Sequence, residues 1–231
     1  MKKVIFIISL FFIIFNTGIT SEAKNQRATE GTDYSITYQY FNVYEEKYGG
    51  VNYQAIMEIA NIGQKNLYLG SATFDIYDSN GKIVASDSYI SNDPSVIAPG
   101  EKGYYFNNGG TFDNPIGQYT MAPTISVEYT DLQSEKFPIN NTSIKKSKYG
   151  GIEILGTVTN NTEKDEGLLW IAFVVFDSED RPIGVYGTNI LDFNAGVTIG
   201  FEGHGMLLPD YVTLDKVKRF EVVASPTQYQ F

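Results

Sequence analysis

The hexapeptide Phe74-Asp75-Ile76-Tyr77-Asp78-Ser79 returns, about a hundred residues on, as Phe173-Val174-Val175-Phe176-Asp177-Ser178. Each copy is an alternating run of apolar, aromatic and β-branched residues that breaks at an acidic turn. That is how a strand feeding a hairpin reads, and Asp78-Ser79-Asn80-Gly81 supplies the turn chemistry. The flanks repeat in the same order. Tyr48-Gly49-Gly50 corresponds to Tyr149-Gly150-Gly151, Asn61 to Asn160, and the Ala98-Pro99-Gly100-Glu101 turn to Asn194-Ala195-Gly196. Ile125-Ser126-Val127-Glu128 corresponds to a strand within Phe220-Glu221-Val222-Val223, so the offset drifts from 101 to 99 to about 96.

Between these landmarks the texture is strand and turn. Tyr34, Ile36, Tyr38 and Tyr40 alternate with Ser35, Thr37 and Gln39, which places the four apolar residues on one face of a half-buried strand. Tyr53, Ala55, Met57 and Ile59 alternate in the same way, and no stretch of ten residues carries a helical period. Proline second and glycine third in the Ala98–Glu101 turn predict a type II turn. The fold class expected is all-β, two tandem immunoglobulin-like antiparallel β-sandwiches, at about seven short strands each. The divisions are residues 1–23, a signal peptide; 24–33, a flexible lead-in; 34–130, the first sandwich; 131–136, a polar linker; and 137–231, the second sandwich.

The second half, with Leu155-Gly156-Thr157-Val158-Thr159-Asn160-Asn161-Thr162, Phe173 to Asp177, the Gly196 turn and Phe201, resembles the FxLYD domain family. Phe74 to Asp78 is the closer match to that name, with Ile76 in place of leucine; Val175 and Phe176 fit it more loosely. The resemblance implies a small β-sandwich module of bacterial exported and surface proteins, and it brings no catalytic residues.

Lys2 and Lys3, the apolar run Val4 to Phe15 and the small residues ending at Ala23 form the pattern of a secretory signal peptide. The run falls short of the roughly 20 residues that span a bilayer, and no second such segment follows. The expectation is a secreted or surface-associated protein with no stable membrane span after cleavage. Cysteine is absent, which excludes disulfides, thiolate metal sites and a cysteine nucleophile. Cleavage after Ala23 removes two lysines and one glutamate, leaving 15 basic and 26 acidic residues and a net charge near −11. That balance argues against nucleic acid as a partner, which calls for clustered cations.

Catalytic and metal chemistry find little support. His204 is the only histidine, in a Gly203-His204-Gly205 stretch that reads as loop, so a serine hydrolase has one available base and a histidine-based metal cluster stays unbuilt. Asp75, Asp78 and Asn80-Gly81 lack the ligand spacing of a calcium loop and read as a backbone-bonded turn, as do Asp177, Glu179 and Asp180. No cofactor, metal or catalytic residue is assigned.

One comparison between the repeats points outward. Ala72, Phe74 and Ile76 match Ile171, Phe173 and Val175 as inward positions. The opposite face is Ser71, Thr73, Asp75 and Tyr77 in the first copy but Trp170, Ala172, Val174 and Phe176 in the second. A strand apolar on both sides is covered on both sides. Trp170, Ala172, Val174 and Phe176 are therefore the candidate interface, covered by the first sandwich, a second copy or a foreign partner. The functional expectation is a non-enzymatic binding or structural protein acting through protein–protein contacts. The alternatives are a module for carbohydrate or cell-wall glycan, suggested by 17 tyrosines and 15 phenylalanines, and a secreted hydrolase.

Overall fold

The computed structural model describes residues 27–45, 50–148, 151–205 and 208–227. The expected signal peptide, and the Tyr48-Gly49 and Tyr149-Gly150 pairs of the repeat, lie outside the described residues. The N-terminal half holds β1 (Tyr34–Glu45), β2 (Val51–Asn61), β3 (Leu67–Tyr77), β4 (Ile83–Asp87), β5 (Ser91–Asp93), β6 (Val96–Ile97), β7 (Lys102–Thr111) and β8 (Thr120–Tyr129). The C-terminal half holds β9 (Ile139–Lys146), β10 (Ile152–Thr159), β11 (Glu166–Phe176), β12 (Pro182–Phe193), β13 (Thr198–His204) and β14 (Arg219–Pro226). A 3-10 turn at Leu214–Lys216 precedes β14. The protein is all-β, and every strand pairing is antiparallel.

Strand pairing stays within each half and repeats the same order. Sheet β1-β2-β7 answers to β9-β10-β13, and β4-β3-β8 to β12-β11-β14; the first half adds β5 and β6 at its margins. In each half the two sheets enclose one core. Tyr53, Met57 and Ile59 of β2 meet Leu69, Phe74 and Ile76 of β3 in the first. Ile152, Ile154 and Val158 of β10 meet Ile171, Phe173 and Val175 of β11 in the second. Fully burying a side chain of this size contributes about 1.5 to 3 kcal/mol, so each core is the main support of its half in a chain without disulfides.

Asn61 and Asn160 occupy the same node. Asn61 is buried, its Nδ2 donates to the carbonyls of Lys65 and Ile97 at 2.9 Å each, and its Oδ1 accepts from Gly63 N at 3.0 Å. Asn160 donates to Lys164 O at 2.8 Å and Phe193 O at 3.0 Å, and accepts from Thr162 N at 3.1 Å. Gly100 N and Gly196 N donate to the carbonyls of Asn61 and Asn160 respectively. Both glycines sit at positive φ, +82° and +73°, as the turns require.

Three expectations need correction. The last-strand offset is not 96: Ala72 pairs with Ile125 and its counterpart Ile171 pairs with Ala224, so Ile125 answers to Ala224. The offset returns to 99, because three extra residues between the Gly196 turn and β14 compensate for three extra residues around β5 and β6 in the first half. The lead-in is tied down over residues 27–33: Ala28 N donates to Val127 O at 2.9 Å, and Asp33 accepts from Thr29 N at 2.8 Å. His204 ends strand β13, opposite Glu153, rather than lying in a loop. The polar segment 131–136 joins the halves without strand structure, and Glu101 anchors it by accepting from Ser134 Oγ at 2.7 Å and pairing with Lys136 Nζ at 2.5 Å.

The four sheets stack. A third apolar cluster joins Ile56 of β2 and Tyr104 and Phe106 of β7 to Val174 and Phe176 of β11 and Val185 of β12. The two middle sheets are therefore buried on both faces, with buried polar side chains such as Gln54 and Asn108 set among the apolar ones at the junction. The two outer faces are polar: Ser71, Thr73 and Asp75 on β3, and Glu153, Thr157 and Thr159 on β10.

Candidate functional site

A β-bulge begins the site. β1 runs in register with β2 as far as Ile36 opposite Ile59, then slips so that Tyr38 faces Glu58. A slip of one residue exchanges the faces of a strand, and bulges re-aim side chains in this way. Tyr34 and Ile36 consequently face the first core, as do Phe41 and Val43 beyond the slip. Tyr38 and Tyr40 turn the other way, towards the C-terminal half. The single face expected for Tyr34, Ile36, Tyr38 and Tyr40 is thus divided at Thr37.

Those two tyrosines meet a wall from the other half. Arg181 and Ile183 of the β11–β12 hairpin, with Tyr211 and Lys216 ahead of β14, complete a cleft of about 570 Å³ at the junction. The Tyr211 hydroxyl donates to Gln54 Oε1 at 2.6 Å and lies 3.4 Å from the Tyr40 hydroxyl. Burial, and then that contact with Tyr40, raise the Tyr211 pKa, so the phenol stays neutral as a donor. The Tyr44 ring meets the Tyr211 ring edge-on at 5.4 Å.

Arg181 is held in place by its hairpin. Its Nε and Nη2 donate to Asp177 Oδ2 at 2.8 and 2.7 Å, and Nη1 lies 2.9 Å from Glu179. Asp177 Oδ1 accepts the backbone N–H groups of Glu179 and Arg181. Burial works to raise the Asp177 pKa, but the guanidinium and those N–H groups outweigh it and hold the carboxyl low. Asp78 caps its own hairpin through Asn80 N and Lys82 N, so both acidic turns are backbone-bonded as the sequence reading expects. Asp75 accepts from Ser86 Oγ at 2.6 Å.

Beneath the cleft runs a buried polar seam. Gln54 Nε2 donates to Asn108 Oδ1 at 3.0 Å and to Ile183 O at 3.1 Å, and Asn108 Nδ2 donates to Val185 O at 2.5 Å. Side chains of the N-terminal half thereby satisfy backbone carbonyls along the edge strand β12, which would otherwise stand open.

The candidate interface residues lie along the same junction. Ala172, Val174 and Phe176 are buried, and the cover over Val174 and Phe176 is the chain's own N-terminal half. Arg219 stacks over the Phe176 ring at 3.5 Å. Trp170 is half-buried, its indole N–H facing the Asp93 carboxyl. Ile56, Tyr104 and Phe106, which form the covering face, were not among the residues expected at an interface. Their signal was present in Tyr104-Tyr105-Phe106, a run apolar to both sides.

His204 lies between two carboxylates, with Nε2 3.2 Å from Glu202 and Nδ1 3.8 Å from Glu153. Glu153 also holds Lys145 Nζ at 2.7 Å. A metal ion would need both carboxylates and one ring nitrogen to converge. One donor atom from each of Glu153, Glu202 and His204 lies within 4.8 Å of the others, and the Lys145 ammonium already sits on Glu153, so the cluster is a polar network on the outer face of β10 and β13.

Fold and site together define a cysteine-free, all-β protein of stacked antiparallel sheets with a tyrosine-walled cleft where its like halves meet. No protein-family model matches the chain, and no curated protein matches it in sequence.

Proposed function

We propose that this is an exported, non-enzymatic binding protein whose two halves, each an FxLYD-like sandwich, pack against one another, and that a short cell-wall glycan seats in the Tyr38–Arg181 cleft. The observation that carries the reading is the cleft itself. Tyr38, Tyr40 and Tyr211 offer flat apolar faces with hydroxyls, while Arg181, Asp177 and Lys216 supply fixed and mobile polar groups. Sugar rings pair an apolar face with a rim of hydroxyls, which is the complement of such a wall. The apolar strip of β11 that would favour a protein partner is covered from within the chain: Val174 and Phe176 face the N-terminal half.

The test is calorimetric titration with soluble fragments of wall polysaccharide. Binding should weaken about tenfold for Tyr38→Ala and again for Arg181→Ala, each a loss of about 1.4 kcal/mol. Absence of binding to any wall fragment, or wild-type affinity in both variants, would remove the glycan reading.

A further inference from the structure

At another margin of the junction lies a buried acid with incomplete bonding. Asp93 ends β5 opposite Tyr104 of β7, so it shares the face that meets the C-terminal half. It is 4 % exposed, and among the described residues its Oδ2 has no hydrogen-bond partner. The group facing it is the indole N–H of Trp170, which comes from the other half. Separation of the halves would therefore return this carboxyl to water.

The neighbours do not neutralise it. Asp93 lines a cavity of about 200 Å³ with Glu101, Lys102, Tyr104, Lys136 and Glu221. Lys102 is paired with Glu58 at 2.8 Å and Lys136 with Glu101 at 2.5 Å. Tyr104 donates to Glu58 at 3.1 Å, and Glu221 is paired with Arg219 at 2.5 Å. Both cations near the acid are already engaged, and among the described residues the indole N–H is the donor left to answer the charge of an ionised Asp93.

We propose that the contact between the halves is a proton-controlled latch, closed while Asp93 holds its proton and loosened when that proton leaves. Desolvation pushes the Asp93 carboxyl up to about 7, against an ordinary value of 3.8, with the Trp170 N–H opposing. The closed state thus binds the proton more tightly than the open one. Its advantage is complete below about pH 4 and falls away as pH rises towards 7, with the opening equilibrium growing about tenfold per pH unit across that window. A chain that meets acidic surroundings holds its halves together there and frees them near neutrality.

Trp170 is the only tryptophan, so it reports the latch in the full-length protein. Acrylamide quenching is followed from about pH 5 to pH 9. The wild type should show quenching that rises with a midpoint near 7, and Asp93→Asn should stay protected throughout. A flat wild-type profile, or the same rise in Asp93→Asn, would overturn the proposal. Should Asp93→Asn fail to fold, carboxyl carbon NMR of wild-type Asp93 decides. A titration coincident with the quenching change supports the latch, and a titration in the ordinary carboxylate range overturns it.

Discussion

Asn108 of β7 donates from Nδ2 to the carbonyl of Val185 on β12, 2.5 Å away, and so ties the interior of one half to the edge strand of the other. Its Oδ1 also receives Gln54 Nε2. Asn108→Leu fills the space but leaves that carbonyl and part of the Gln54 amide unsatisfied, at a cost of about 1 to 3 kcal/mol for each buried group. The urea midpoint should fall with an unchanged slope, since the surface exposed on unfolding is the same.

The Asn61 and Asn160 nodes should respond alike. Each holds two backbone carbonyls and one N–H from a buried position. Asn160→Ala and Asn61→Ala should each cost about 2 to 4 kcal/mol, near the upper end for point substitutions. Chemical denaturation of the two variants side by side measures this. A large loss in one and none in the other would break the equivalence of the halves.

Gly187 is the slot for Trp170. A Cβ there would fall 2.4 Å from the indole ring and 2.9 Å from the Ile171 carbonyl oxygen, and the backbone atom cannot give way. Gly187→Ala should destabilise by about 1 to 3 kcal/mol, as overpacking does. It should also displace the indole, seen as a red-shifted emission with faster quenching at a pH where the wild type is protected.

Glu101 governs the linker through a charge. Burial alone would raise its pKa, but Lys136, Ser134 and the Ala98 N–H outweigh it and leave the carboxyl below its ordinary value of 4.5. Its stabilising contribution is therefore present above pH 4.5 and lost as pH falls through the lowered folded value. Glu101→Gln should remove that acid-side dependence while costing no more than about 1 kcal/mol near neutrality, because the pair is partly in water. Amide exchange of residues 131–136 should quicken in the variant and not in the two cores.

Much of the fold was legible because strands read with a period of two. Ala72, Phe74 and Ile76 face the first core and Ile171, Phe173 and Val175 the second, as the alternation of each copy indicates. The register of β14 was not legible, since Phe220, Val222 and Ala224 lie on one apolar face and only their partners on β11 fix which answers to Ile125. Thr37 carries no mark of the bulge that re-aims Tyr38 and Tyr40, so the cleft could not be read from alternation alone. The need to cover Val174 and Phe176 was written in β11; that Ile56, Tyr104 and Phe106 would do so depends on how the halves meet.

The stacking of the halves in the closed state is tested most directly by a distance across it. The chain has no cysteine, so spin labels at Ser71→Cys on β3 and Ser143→Cys on β9 report only the outermost sheets. At about pH 6 the two outer sheets should give a single narrow distance distribution by pulsed dipolar spectroscopy. A broad distribution, of the kind two modules on a free tether would give, would contradict the stacked arrangement.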